Sequence, residues 1–283
     1  LYVAPSSPLQ GRRCASALGK YMDFSTFEVK MIEAIDDCRG AVRNCGKNAV
    51  HHLEKAWAIR DLDLEMAIFR GITAEEEAAT SLFYCLKNHN YLNSRKISFK
   101  EHKYKLGLYP FLHSIGKFLG RFHHQASSPF DKFSVRHVEK NGRKAIELVL
   151  NMPAQRLSAR PTPPLNFTIT DSGTDKVYTF KDEFNDLVNG HGYDKALKYL
   201  KDIANTRNEL LYANCSGRPQ VSGDIGGYLI QQKKKVMLVL AIVLMIDPWE
   251  KEDGGSLFVQ QALDSFLLLL DKISPEDIYQ PNQ

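Results

Sequence analysis

At 283 residues, 43% of them hydrophobic, the chain is long enough to bury a core without disulfide or metal staples. Its formal charge of +4 is too small to mark a dedicated nucleic-acid domain on its own. The five cysteines are odd in number, scattered and without a Cys-x-x-Cys pair, which argues against a disulfide framework or a zinc ribbon and for a reducing, cytoplasmic setting. No basic-then-apolar leader opens the chain, and its strongest apolar run, 236–246, is far shorter than the roughly 20 residues a spanning helix needs, so no membrane is expected.

Residues 1–24 are rich in Pro, Ser, Gly and Arg without a period and read as a loosely held arm. Ser25 and Glu28 form a capping box that starts a helix at 26. Periodicity carries this helix to 42, Asn44-Cys45-Gly46 reads as a break, and helix resumes over 47–59. A long helix over 61–87 stops at Asn88-His89-Asn90, and helices over 98–106 and 111–122 complete an amino-terminal helical part, 25–126.

The period changes across 127–181. Two β-like runs, 132–139 and 144–151, flank Lys140-Asn141-Gly142-Arg143, and Asn-Gly supplies the positive φ angles of a type I′ turn. The prolines of 153–164 speak against a regular element there, and 165–170 with 176–180 form a second candidate pair around Asp171-Ser172-Gly173. Helices return at 182–188, 193–213, 226–246 and 256–273, the last two stopped by Asp247-Pro248 and Ser274-Pro275. The expected fold is mainly α: an antiparallel helical bundle with a small antiparallel β-hairpin insertion, in which 182–283 completes the bundle begun by 25–126. The hairpin is expected to be an excursion from that bundle.

Two charges stand where apolar residues belong. Arg207 interrupts the stripe Ala196, Leu200, Ile203, Leu210 and Leu211, and Glu76 lies on the inward face of the 61–87 helix between Ile72 and Ala79. A guanidinium keeps its proton inside a protein, so Arg207 needs a carboxylate or a wet cleft. A direct or singly water-bridged Glu76–Arg207 pair is expected. Such a pair ties helices together as readily as it serves a site.

Arg207-Asn208-Glu209-Leu210-Leu211-Tyr212 resembles the Arg-Asn-x-x-x-His signature of the HEPN superfamily. Ala74-Glu75-Glu76-Glu77-Ala78-Ala79, with Phe99-Lys100-Glu101-His102-Lys103-Tyr104-Lys105-Leu106, is similar to the Glu-Glu helix and His-x-x-Lys-Leu segment of its AbiV-like abortive-infection branch. Tyr212 departs from the pattern, standing where catalytic members place histidine. The resemblance implies a dimerising helical bundle of a defence or toxin–antitoxin type system that binds RNA or a nucleotide, with metal-independent endoribonuclease activity left open. The residues it nominates are Arg207, Asn208, Tyr212 and Glu76. The other class of reading is a non-catalytic scaffold that dimerises and binds a protein partner such as an antitoxin.

Lys103, Lys105, Lys233 and Lys234 are the candidate nucleic-acid contacts, although runs of this kind are often ordinary solvated faces. His51-His52 and His123-His124 are adjacent pairs without helical metal-site spacing, and no metal or other cofactor is expected. Gly223-Asp224-Ile225-Gly226-Gly227 lacks the Lys-Ser/Thr end of a P-loop and reads as a loop. His102 can exchange a proton but sits at a helix edge, where a structural histidine is the commoner case, and Cys85 reads as a small hydrophobe.

Overall fold

The computed structural model describes residues 21–123, 132–152, 156–167, 173–174, 177, 179–180, 184–185, 188–211, 223–249 and 255–278. Four helices come first: α1 (Thr26–Ile35), α2 (Gly40–Ile59), α3 (Leu64–Asn88) and α4 (His102–His123). A sheet in the order β1 (Lys132–Lys140), β2 (Arg143–Met152) and β3 (Leu157–Ala159) follows, antiparallel throughout. Helices α5 (His191–Leu211), α6 (Ile225–Ile246), α7 (Leu257–Asp271) and α8 (Pro275–Ile278) close the chain. The mainly α architecture with a small antiparallel sheet is therefore the one the sequence predicts. No helix among the described residues is long and apolar enough to cross a membrane.

The centre of the molecule is α3, packed by α2, α4, α5 and α6. Of its 25 residues 14 are buried, so it is covered on more than one side. Small residues make that possible. A Cβ on Gly71 would come within 3.2 Å of Leu229 Cδ2 on α6, and Ala67, Ala74 and Ala78 are fully buried beside it. Side-chain caps fix where the helices start. Ser25 Oγ accepts from Glu28 N at 3.2 Å while Glu28 Oε2 accepts from Ser25 N at 2.7 Å, and Asp63, Asp224 and Ser256 cap α3, α6 and α7.

The structure moves several boundaries. The first helix ends at Ile35 and the chain turns before Gly40, whose φ of +53° suits glycine. Gly46 does not break α2. It lies inside the helix because a Cβ there would sit 2.8 Å from Ile35 Cγ2, so the residue is selected for close packing. The two helices expected over 98–122 are one continuous α4 that carries Pro110 within it. Met22 and Phe24, read as part of the loose arm, are buried in the core.

The hairpin forms as expected, with Asn141 at φ +53° and Gly142 at φ +71°. It is not an excursion. All six residues from Ala145 to Leu150 are buried without alternation, as in a strand covered on both faces. Trp249 Nε1 donates to the Ile146 carbonyl at 3.3 Å, and Arg143 Nε donates to the Asp37 carbonyl at 3.0 Å while its Nη2 binds the Asp247 carboxylate. A third strand, β3, lies in the proline-rich stretch that spoke against one, on the edge of the sheet where missing donors are tolerated. Leu165 to Phe167 are not strand, and much of the second candidate pair lies outside the described residues.

Candidate functional site

Consecutive residues of an α-helix are about 100° apart around its axis, so Glu75, Glu76 and Glu77 in the middle of α3 face three different neighbours. Glu76 faces α4 and α5. His102 opens α4, and its Nδ1 lies 2.6 Å from Glu76 Oε1. Lys105, three residues further along the same helix face, brings Nζ to 3.5 Å from Oε2. From α5, Arg207 Nη1 reaches His102 Nε2 at 2.5 Å and stands 4.0 Å from Glu76 Oε1, with its guanidinium carbon 5.5 Å from the Phe69 ring centre.

Donor and acceptor roles follow from this arrangement. The guanidinium is always protonated and can only donate, so His102 Nε2 accepts from it. The ring proton then sits on Nδ1 and donates to Glu76. An imidazole is thereby held between a carboxylate and a guanidinium. Burial pushes the Glu76 carboxyl up, but His102, Lys105 and Arg207 together outweigh it and hold the group below the usual carboxylate range. The layering is graded: the Glu76 side chain is 9% exposed, whereas Arg207 and His102 are 28% and 34% exposed. An anion can reach the two outer groups without reaching the carboxylate.

Glu75 forms a separate network on the side of α5 and α6. Tyr199 Oη donates to its carboxylate at 2.6–2.7 Å, and Lys235 Nζ lies 3.3 Å from Oε2 and 2.6 Å from Tyr199 Oη. The same ammonium stands over the rings of Tyr199 and Tyr109, 4.6 and 5.1 Å from their centres. Burial drives the Glu75 carboxyl up despite these partners, and the Tyr199 hydroxyl is pushed far above its ordinary value by burial and by Glu75. With Glu75 at 1% exposure this network is closed to solvent and serves to tie helices. Glu77 turns to α2, where its charge and hydrogen bond add to burial in raising the Cys45 thiol to about 11.

Of the residues nominated from sequence, Glu76, Arg207 and Lys105 come together. The expected Glu76–Arg207 ion pair is present, Nη1 standing 4.0 Å from Oε1, and the His102 imidazole contacts both partners. Asn208 follows Arg207 in α5, and Tyr212 lies outside the described residues. The remaining lysines are placed elsewhere. Lys103 Nζ lies 3.5 and 3.4 Å from the carbonyls of Leu270 and Ile273 at the end of α7, Lys233 binds Glu28 at 3.0 Å and the Asp23 carbonyl at 2.8 Å, and Lys234 is exposed on α6. His102 is the functional candidate that sequence reasoning undervalued. Its signal was the spacing His102-x-x-Lys105, which places two groups for one carboxylate on the same helix face.

Comparison with protein-family models, curated proteins and solved structures gives no match, so the family resemblance rests on this chain's own residues.

Proposed function

We propose that the protein binds phosphate groups of RNA or of a nucleotide at the Glu76–His102–Arg207 site and, with RNA as substrate, acts as a metal-independent endoribonuclease of HEPN type. The observation that supports this most is the contact between Arg207 Nη1 and His102 Nε2 at a half-exposed position. The three segments that carry the HEPN resemblance also converge there, from α3, α4 and α5.

A phosphate is a stronger partner for a guanidinium than a neutral imidazole is, because it accepts two charge-assisted hydrogen bonds. When Arg207 turns to a phosphate, His102 Nε2 is released as an acceptor beside it. The imidazole then takes the proton of a 2′-hydroxyl, and Glu76 stabilises the imidazolium that results. The 2′-oxygen bonds to phosphorus as the bond to the 5′-oxygen breaks, and the imidazolium returns the proton to that leaving oxygen. Arg207 balances the charge developing on the phosphorane. The resemblance nominates Asn208 and Tyr212 as further contacts to the phosphate. Lys105, beside Glu76, adds positive charge at the site for a phosphate. The resemblance adds a setting: a cytoplasmic homodimer in a defence or toxin–antitoxin type system, held by a protein antitoxin.

A second reading draws on the same geometry. The Glu76 cluster joins α3, α4 and α5, as expected of a dimerising scaffold that binds a protein partner and has lost the histidine at Tyr212. Cleavage of single-stranded and structured RNA in chelator separates the two. The enzyme reading expects wild-type cleavage, a loss of at least ~100-fold in His102→Ala, and a comparable loss in Arg207→Lys with the fold retained. Absence of cleavage by the wild type and by Tyr212→His, with no RNA affinity at low salt, leaves the scaffold.

A further inference from the structure

At the carboxyl-terminal end of α3, away from the Glu76 cluster, Cys85 and His89 stand four residues apart and so share one helix face. Asp247, which caps the carboxyl-terminal end of α6, faces them. One ligand atom from each of Cys85, His89 and Asp247 lies within 4.8 Å of the other two. Cys38, in the turn between α1 and α2, is hydrogen-bonded to Asp247 and adds a second thiol beside Cys85. Parts of the chain far apart in sequence thus bring one sulfur, an imidazole and a carboxylate within mutual reach of one ion, with the Cys38 thiol hydrogen-bonded to the same carboxylate at the margin of the group.

We propose that Cys85, His89, Asp247 and Cys38 form a binding site for a thiophilic divalent cation, zinc above all, which clamps the end of α3 to the α1–α2 turn and to the end of α6. The donor set decides the class of ion. Thiolate and imidazole select zinc over magnesium or calcium, which take oxygen ligands, and Cys38 swinging in as a fourth donor would complete the closed tetrahedral shell of a structural site. The carboxylate is already oriented, because Arg143 Nη2 binds its Oδ2, which leaves Oδ1 for a cation. Arg143 also balances charge: two thiolates and a carboxylate against a divalent ion leave one negative charge, which the guanidinium cancels. The last carbonyls of α3 place the negative end of its dipole at the cluster.

A cation bound by these thiols displaces their protons. Access is through His89, which is half-buried and lines a cleft of about 20 Å3 with Tyr91, Pro163 and Trp249. The inference is independent of the phosphate-site reading, since the two sites share no residue.

The test is titration of the reduced, chelator-stripped full chain with cobalt(II), followed by displacement with zinc. One equivalent is expected to give the thiolate-to-cobalt charge-transfer band and the strong visible bands of a tetrahedral centre, both abolished by zinc. Cys85→Ser should lower affinity by at least ~100-fold, more than the loss of an outer hydrogen-bond partner causes. His89→Gln alters a half-exposed side chain, keeps the fold, and should shift or remove the visible bands. The proposal is overturned if the reduced wild type, with all thiols titratable, shows no charge-transfer band at cation excess. It is equally overturned if His89→Gln, folded by circular dichroism, binds cobalt with an unchanged spectrum and affinity. Should Cys85→Ser fail to fold, the His89→Gln result decides.

Discussion

Glu75 and Glu76 are neighbours in the chain and are pushed in opposite directions by the fold. Glu75 is raised because burial outweighs Lys235 and Tyr199, and Glu76 is lowered because His102, Lys105 and Arg207 outweigh burial. The stabilisation from Glu76 is complete above the ordinary carboxylate pKa and is lost as the pH falls through the lowered folded value. Glu75 has the reverse sign: stability is lost as the pH rises from the ordinary value up to the raised folded one. Urea unfolding of Glu76→Gln should show a deficit of about 1–3 kcal/mol at neutral pH that shrinks in acid. Wild type should lose ground against Glu75→Gln as the pH rises through the mildly acidic range, and parallel pH profiles for the two variants would contradict the assignment.

Arg207→Ala should cost about 1–2 kcal/mol, less than the 3–5 expected when a buried carboxylate is stranded. Lys105 and the His102 hydrogen bond remain on Glu76 in that variant, and the guanidinium is partly solvated. Chemical denaturation at neutral pH measures the difference. A cost above that range would mean Arg207 carries the pair alone.

Removing the hairpin, 132–151, should abolish cooperative unfolding, since β2 is buried along six successive residues and holds Trp249 and Asp247. The milder Ile146→Ala, at a fully buried site, should cost about 2–5 kcal/mol with an unchanged denaturant slope. A soluble, sharply unfolding deletion variant would restore the hairpin to the periphery.

Gly46→Ala improves helix propensity yet should destabilise by about 1–3 kcal/mol, because the new methyl meets Ile35 at 2.8 Å. A thermal shift upward would show that α1 and α2 separate without strain.

What was legible in the sequence was local. The Ser25–Glu28 box, the Asn141-Gly142 turn and the stop at Asp247-Pro248 each act over a few residues, and each stands where pattern reading puts it. Gly46 was misread because a glycine that breaks a helix and one that admits a neighbour look the same until Ile35 is in place. The helices expected over 98–106 and 111–122 are one, α4, which carries Pro110 within it. At the site, the misplaced charges Glu76 and Arg207 were visible as exceptions to periodicity. The histidine between them was not, because a polar residue opening a helix breaks no pattern, and its two partners come from helices 26 and 105 residues away in sequence.

The three glutamates of α3 have a further effect on how the chain can change. Each is engaged by a different neighbour, so the helix is keyed in rotation like a shaft with three teeth. Inserting or deleting one residue at Thr73 or Ala74 would turn all three by about 100° relative to the first half of the helix, seating each carboxylate in the wrong socket. Length variation in relatives of this protein should therefore be confined to the segments between helices, while α3 keeps a fixed residue count from Asp63 to His89.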